Sequence, residues 1–347
     1  MSDTNIVPFA GATEPLPHGG DLAAARRLFP DAPKPFIDLS TGINPYPYRP
    51  PPLPPEAFSR LPDSAAIAAL AAIVAKTYGA PSPAHVVPSP GTQILLPLVA
   101  GLARPGRAAV VTPAYGEFAR AAALAGHDVV EVGALADAGD CQLVLIGNPN
   151  NPDGRLHARN DLLALAAALR SHGGMLVIDE AFMDVGPPEH SLAPCVDGGG
   201  IVVLRSFGKF FGLAGVRLGF VIAAPDLAAR IGAILGPWAV SGPALAAGMA
   251  ALADTAWIEQ TKTRLAAAVA RLNAMLTGAG LDIIGGTSLF RLARTAAAGE
   301  LFDRLGRSGI WVRGFADQPH WLRFGLPGDE NGWQRLQSAL AAFRPGR

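Results

Sequence analysis

Residues 205–220 read RSFGKFFGLAGVRLGF. One lysine, Lys209, stands among aromatic residues and glycines, and Arg217 follows it eight positions later. The segment is otherwise suited to burial, and only 16% of the whole chain is charged. The role of these two cations therefore depends on what the rest of the chain supplies.

Composition limits the classes of function. A length of 347 residues is typical of about two domains. Because the formal net charge is +0, we expect no nucleic-acid partner and no acidic membrane surface, and a small neutral or anionic partner is favoured. Cys141 and Cys195 form no CxxC pattern, and the seven histidines lack metal-ligand spacing, so no metal is expected.

Targeting signals are also not expected from this sequence. The first Lys or Arg is Arg26, so no secretory n-region is predicted. Residues 231–253 carry no charge, but two Gly-Pro pairs interrupt them, and we interpret them as a loop that enters a buried helix. The sequence thus predicts a cytoplasmic enzyme without a membrane span.

The order of apolar runs predicts the fold. Seven prolines lie in 45–55, and we expect regular structure only after residue 60. A helical pattern covers 64–78, and short β-like runs then alternate with helical ones, which is typical of a mostly parallel sheet covered on both faces. The predicted strands are 108–112, 128–132, 142–147, 175–178, 201–204 and 218–223.

The last third of the chain has a different pattern. A long helix is predicted from 243 to about 277, followed by strands at 287–292, 309–312 and 321–324 with helices between them. These features predict a smaller α+β unit. We therefore expect an N-terminal arm at 1–35, a large α/β domain at 36–242, and a linking helix with a small domain at 243–347.

Polar residues follow several of the apolar runs. The segments are NPNNPDG (148–154), IDEAF (178–182), RSFGK (205–209) and VRLGF (216–220). Each alone has an ordinary structural explanation, such as a turn, a helix cap or a solvated cation. Because ligands bind at the carboxyl ends of the strands in such sheets, the ordered set predicts one concave site.

This ordered set resembles the fold-type I pyridoxal-phosphate enzymes, the aspartate aminotransferase superfamily, over about residues 18–323. The resemblance implies that Lys209 forms a Schiff base with the cofactor and that Asp179 keeps the pyridine nitrogen protonated. It also implies that Tyr115 stacks on the cofactor ring and that Asn151 donates to its phenolate oxygen. The cofactor phosphate is expected on Ser206, Arg217 and the backbone amides of Gly91, Thr92 and Gln93.

Within this superfamily, the RSxxKxxxxxGxRxG pattern and NPNNP are most similar to the branch of histidinol-phosphate aminotransferase and L-threonine O-3-phosphate decarboxylase. HGGD (18–21), FIDLSTGINP (36–45), DEAFMD (179–184) and WLRFGLPG (321–328) favour the decarboxylase. Aminotransferases of this branch typically carry tyrosine where this chain has Phe182. Many relatives also have a hydroxyl residue at the position of Gly208, and a tyrosine that reaches the neighbouring subunit at the position of Leu61.

The resemblance implies a substrate and an assembly. We expect decarboxylation of L-threonine O-3-phosphate to (R)-1-amino-2-propanol O-2-phosphate in cobalamin biosynthesis, by a homodimer. Arg323 is the expected clamp for a substrate anion, with Arg313 beside it and His18 over the substrate phosphate; Asn151 would also face the substrate. An aminotransferase acting on histidinol phosphate or an aromatic amino acid is the alternative, and a catalytically silent regulatory domain is a third reading.

Overall fold

The computed structural model describes residue 16 and residues 18–343. Its strands are β1 Ile37–Asp38, β2 Val86–Ser89, β3 Arg107–Val111, β4 Asp128–Val132, β5 Leu143–Gly147, β6 Met175–Asp179, β7 Ile201–Ser206, β8 Gly219–Ala223, β9 Asp282–Thr287, β10 Phe290–Arg294, β11 Ile310–Trp311, β12 Arg313–Gly314 and β13 Trp321–Gly325. Its helices are α1 Leu22–Leu28, α2 Glu56–Ser59, α3 Ser64–Tyr78, α4 Leu95–Ala100, α5 Glu117–Leu124, α6 Arg159–Ser171, α7 Phe207–Phe210, α8 Pro225–Leu235, α9 Gly242–Ala253, α10 Thr255–Gly278, α11 Ala298–Arg307 and α12 Glu330–Ala341.

The chain forms two compact units. Unit 1 contains Tyr48–Asn151 and Arg155–Thr255, and unit 2 contains residues 18–47, Pro152–Gly154 and residues 256–343. The units are therefore divided after Thr255, whereas the sequence analysis places the division after residue 242; that domain division stays a prediction.

Unit 1 is built on a sheet with the strand order β2-β8-β7-β6-β5-β3-β4. Every pair from β4 through β7 is parallel, while β8 is antiparallel to both of its neighbours. All residues of β5, β7 and β8 are buried, because both faces of the central strands are covered. The prediction of a mostly parallel α/β sheet is confirmed, and β2 is a strand that the sequence analysis did not identify.

Unit 2 contains an antiparallel sheet in the order β12-β13-β10-β9, and a parallel pair of β1 with β11. The predicted single strand at 287–292 is wrong, because residues 288 and 289 form the turn between β9 and β10. The prediction that regular structure begins only after residue 60 is also wrong. Helix α1 lies in the predicted arm, and the Asp21 carboxylate caps it by accepting from the amide of Ala24 at 2.8 Å.

The long helix predicted at 243–277 is two helices, since α9 ends at Ala253 and α10 begins at Thr255. Apolar periodicity alone does not locate such a break. In the part of the chain that the structure describes, no helix has both the length and the hydropathy of a membrane span.

Helix α11 contains two glycines with opposite surroundings, which allows a matched test of the packing in unit 2. A Cβ on Gly306 would lie 2.1 Å from the Phe29 ring, which is itself packed against Phe302 and Trp311. A Cβ on Gly299 would meet nothing within 4 Å.

We expect Gly306→Ala to destabilise the protein by about 1–3 kcal/mol through overpacking. Gly299→Ala should be neutral or should stabilise the protein by up to about 1 kcal/mol, because alanine is the better helix former. Urea unfolding of both variants measures the difference, and equal effects of the two substitutions would contradict the packing described.

Candidate active site

Residues that are distant in sequence come together at the edge of the unit 1 sheet where its parallel strands end. Gly147 pairs with Asp179, and Asp179 pairs with Leu204 in the next strand. Ser206 at the end of β7 pairs with Gly219 at the start of β8. Because β8 runs antiparallel, its first residues lie at the edge where its neighbours end. Arg217 therefore lies at this edge by preceding a strand, and the expectation that it follows a strand is corrected.

Lys209 lies in α7, a short helix held by buried aromatic rings. Phe207 and Phe211 stack with ring centroids 4.6 Å apart, and both are buried. A Cβ on Gly208 would lie 2.9 Å from the Cα of Ala214, so the backbone leaves no room for a side chain at this position. The Nζ of Lys209 lies 5.8 Å from the centroid of the Phe182 ring.

The carboxylate of Asp179 lies at the end of β6 and accepts from the amide of Ala181 at 3.0 Å. Burial raises the pKa of Asp179 to about 6, although the charge of Lys209 and the bond from Ala181 act in the opposite direction. Because Asp179 is buried, its charged form is stabilised only if a cation lies nearby. A protonated ring nitrogen would supply that cation.

The loop after β2 and the side chain of Arg217 form a tight cradle. A Cβ on Gly91 would lie 2.5 Å from an Nη atom of Arg217, and a Cβ on Gly219 would lie 2.9 Å from the amide nitrogen of Thr92. Gly91 has φ +84° and Arg217 has φ 54°, a left-handed backbone that is uncommon outside glycine. Gly91 is therefore required for the guanidinium to approach the loop, and Gly219 is required for the loop backbone to approach β8.

The predicted contact of the Gly91 amide with a phosphate stays a prediction. That amide donates to the carbonyl oxygen of Ser89 at 2.8 Å, and the absence of a side chain on Gly91 leaves space for Arg217. The amides of Thr92 and Gln93 precede α4. Ser206 is buried directly before α7, and its side chain makes no capping bond to that helix.

Tyr115 is held by a chain of side-chain hydrogen bonds. Its hydroxyl donates to Gln93 Oε1 at 3.0 Å, and Gln93 Nε2 donates to the buried Glu117 at 2.8 Å. Glu117 also accepts from Arg120 at 3.1 Å. The sequence analysis did not identify Glu117, although a carboxylate two residues after the tyrosine in TPAYGEF is a visible signal.

The NPNN segment is anchored by the asparagines that flank the proline. The amide of Asn148 donates to the Asp179 carbonyl at 2.9 Å, and Asn150 Nδ2 donates to the Pro113 carbonyl at 2.7 Å. These bonds tie the segment both to β6 and to the loop of Tyr115. Asn151 follows directly and is half-buried.

A buried ion cluster lies next to these residues. Arg205 donates to Glu180 and to Asp184, each at 3.0 Å, and Glu180 also accepts from the Ser191 hydroxyl at 2.6 Å. The Arg205 guanidinium lies 3.9 Å from the centroid of the Tyr78 ring. Arg205 and Glu180 are 4% and 0% exposed, so their charges must be paired. The sequence analysis missed both, although each adjoins a predicted site residue in an apolar run.

In unit 2, two predicted substrate residues are opposed in one sheet. Arg313 on β12 and Arg323 on β13 are register partners, so their side chains extend from the same face. Arg323 is buried, and its Nη2 donates to the Ser40 carbonyl at 2.9 Å. Its guanidinium lies 5.0 Å from the Phe290 ring, and that of Arg313 lies 5.6 Å from Phe315. His18 is exposed at the start of the described arm.

The donor set of unit 1 fits the cofactor that the resemblance implies. A carboxylate at Asp179, an amine at Lys209 and a cradle closed by Arg217 match a ring nitrogen, an aldehyde and a phosphate in chemical type. The cradle exists only because Gly91 and Gly219 lack side chains. How these residues act on a bound cofactor stays a prediction.

A family model and two similar proteins agree on the class of enzyme that this chain resembles. The family described as "Aminotransferase class I and II" matches residues 36–340. The chain is 42% identical to a threonine-phosphate decarboxylase of Pseudomonas aeruginosa, over 95% of this chain and 98% of that protein. It is 44% identical to a threonine-phosphate decarboxylase of a Sinorhizobium species, over 94% of this chain and 98% of that one.

A solved structure shares the fold. The histidinol-phosphate aminotransferase of Sinorhizobium meliloti, in complex with pyridoxal-5'-phosphate, superposes with a TM-score of 0.78 at 23% identity. The match covers 96% of each chain. The fold predicted from the sequence is thereby confirmed.

The ion cluster should make Arg205 important for stability. Arg205→Met would leave Glu180 and Asp184 buried without their cation, and we expect a loss of about 3–5 kcal/mol. Arg107→Met is the control, because Arg107 forms an exposed pair with Asp140 and its loss should cost at most about 1 kcal/mol. Urea unfolding tests this, and a loss for Arg205→Met no larger than the control would refute the assigned pairing.

The raised pKa of Asp179 predicts a pH effect in the protein without cofactor. Between pH 3.8 and about 6, the folded state binds a proton that the unfolded chain lacks, so stability falls as the pH rises. Wild type should therefore lose stability relative to Asp179→Asn from pH 4 to pH 7, with little further change above. Unfolding free energies of both proteins across this range provide the test, and a constant difference would contradict it.

Proposed function

Because the chain belongs to the class I and II aminotransferase family, we propose that it is a pyridoxal-phosphate-dependent enzyme that decarboxylates L-threonine O-3-phosphate. The product would be (R)-1-amino-2-propanol O-2-phosphate, as expected for a step of cobalamin biosynthesis. The observation that carries the proposal is the similarity to two threonine-phosphate decarboxylases over nearly the whole chain.

The residues of unit 1 have distinct roles in this proposal. Bound pyridoxal phosphate withdraws electrons from the α-carbon of an amino substrate. Ser206, Arg217 and the loop of Gly91, Thr92 and Gln93 would hold the cofactor phosphate. Three further residues would hold the ring: Asp179 would keep a proton on the ring nitrogen, Tyr115 would pack against the ring, and Asn151 would donate to its phenolate oxygen.

Lys209 has two tasks, since its amine anchors the cofactor and then moves a proton. Loss of CO2 breaks the bond between the α-carbon and the carboxyl carbon, and the α-carbon needs a proton to give the amine product. In this proposal Lys209 Nζ delivers the proton, because an amine can hold a proton and release it, whereas a guanidinium stays charged. An arginine could not exchange a proton in this way.

Two arginines of unit 2 favour a substrate that carries negative charge. Like charges directly opposite each other in a sheet are destabilising, and Arg313 and Arg323 are such a pair. An anion bound by both guanidinium groups would relieve this repulsion. L-threonine O-3-phosphate carries two anionic groups, a carboxylate and a phosphate, and in this proposal Arg323, Arg313 and His18 hold them.

Assembly and location are further parts of the proposal. We expect a homodimer, and the strongly exposed apolar side chains of Phe58 and Leu61, at 70% and 66% exposure, are consistent with a covered surface there. We also expect a cytoplasmic location. Light scattering of the purified protein tests the first expectation, and fractionation of cells tests the second.

The substrate test uses the purified, cofactor-loaded protein without any keto acid. We expect L-threonine O-3-phosphate to yield CO2 and aminopropanol phosphate in equal amounts, because no amino acceptor is needed for decarboxylation. Lys209→Ala should lose at least about a thousandfold in rate, since both anchoring and proton delivery are removed. Product identification by mass spectrometry and CO2 trapping provide the measurement.

Arg107→Met serves as an active control for this experiment, because Arg107 lies at the opposite end of β3 from the site edge. Absence of CO2, combined with amino transfer once 2-oxoglutarate and histidinol phosphate are added, would refute the decarboxylase and indicate an aminotransferase. Full activity of Lys209→Ala would refute the assigned site.

A further inference from the structure

Three separate motifs of unit 2 meet around one buried serine. Ser40 belongs to the LSTG segment and is 1% exposed. It contacts the HGGD turn on one side and the Arg323 strand on the other. The sequence analysis treated these motifs only as separate signs of family membership, and the structure joins them.

The hydroxyl of Ser40 donates one hydrogen bond and accepts another. Its Oγ lies 2.6 Å from Asp38 Oδ1, and the Ser40 amide donates to the same oxygen at 2.9 Å. A carboxylate oxygen can only accept, so the single hydroxyl proton points at Asp38. The lone pairs of Oγ are then left to accept the amide of Gly20, which lies at 2.7 Å.

The carbonyl of Ser40 makes the second set of contacts. It accepts from Arg323 Nη2 at 2.9 Å, which fixes the plane of a guanidinium that carries five N–H groups. The same oxygen lies only 2.4 Å from the position of a Cβ on Gly19. The turn that follows His18 and the guanidinium of Arg323 therefore meet at one atom.

Glycines on both sides of Ser40 allow the neighbouring backbone segments to approach it closely. Gly20 has φ +89°, and a Cβ on Gly325 would lie 2.5 Å from the Thr41 carbonyl. The amide of Gly325 donates to the Leu39 carbonyl at 2.7 Å, so the LSTG segment runs beside the end of β13. Neither segment can shift without breaking a contact to the other.

We propose that Ser40 is a positioning residue for the substrate's anionic groups. Its hydroxyl holds the turn that carries His18, and its carbonyl oxygen holds the guanidinium of Arg323, so both groups face the same anion. This inference rests on the proposed function in that the anion is taken to be the phosphate or carboxylate of a phosphorylated amino acid. Ser40 itself does not contact the reacting atoms.

Two variants loosen the arrangement in different ways. Ser40→Ala removes the acceptor for the Gly20 amide and keeps the carbonyl oxygen. Gly19→Ala leaves the Ser40 side chain unchanged but places a methyl group against that carbonyl oxygen, so the turn must move away from Ser40. Ser308→Ala is the matched control, because its hydroxyl also makes one local bond in unit 2, to the Arg304 carbonyl at 3.0 Å.

The readouts separate positioning from general damage. In the cofactor-loaded protein, we expect Ser40→Ala and Gly19→Ala to weaken calorimetric binding of inorganic phosphate roughly tenfold. KM for L-threonine O-3-phosphate should rise by a similar factor, while kcat stays within about twofold and the cofactor absorption is unchanged. Hydrogen exchange of the peptide that contains Gly20 should accelerate, and Ser308→Ala should match wild type in all of these.

Phosphate affinity within twofold of wild type in Ser40→Ala would overturn the inference, as would an equal loss in Ser308→Ala. A loss of kcat and of cofactor absorption without a change in KM would also overturn it, because Ser40 would then act on folding or on the cofactor. Failure of the proposed function is a different result: wild type would release no CO2, yet its phosphate binding would still depend on Ser40.

Discussion

The buried ion pair between Arg205 and Glu180 lies where β6 and β7 end, beside residues that are predicted to hold the cofactor. Asp179 directly precedes Glu180, and Ser206 directly follows Arg205, so the pair adjoins two of those predicted residues. Removing two charges from water is costly, and a buried pair is weak support for stability. Here it adds a side-chain link to the ladder between β6 and β7, and Ser191 and the Tyr78 ring also contact this pair.

Glycines, which have no side chain, are as important to the site as the residues that have one. Gly208 lets the helix of Lys209 approach Ala214, Gly91 lets the Arg217 guanidinium approach the loop after β2, and Gly219 lets β8 approach the same loop. In each case a single added carbon would fall inside van der Waals contact with backbone or guanidinium atoms. The cradle is therefore specified by backbone proximity, which explains why cations stand beside glycines in the segment 205–220.

The two units contribute different kinds of selectivity. Unit 1 carries the groups expected to act on a cofactor, and such groups serve many reactions on one fold. Unit 2 carries an arginine pair in register, with Ser40 linking the HGGD turn to Arg323. Since both arginines are cationic, the proposed choice of an anionic substrate rests on unit 2.

The sequence by itself determined the strand and helix alternation of unit 1 except for β2, because strands buried on both faces are continuous apolar runs, and the ends of helix α3 match its pattern. It also indicated Asp179, Lys209 and Arg217 as candidate site residues, since a carboxylate, an amine and a guanidinium are groups that can act on a bound ligand. Only the tertiary structure decided the antiparallel direction of β8, the break at Asp254, the pairing of Arg205 with Glu180 and the register of Arg313 with Arg323. These features depend on contacts between residues far apart in the chain, and local hydrophobic periodicity carries no information about which distant segments become neighbours.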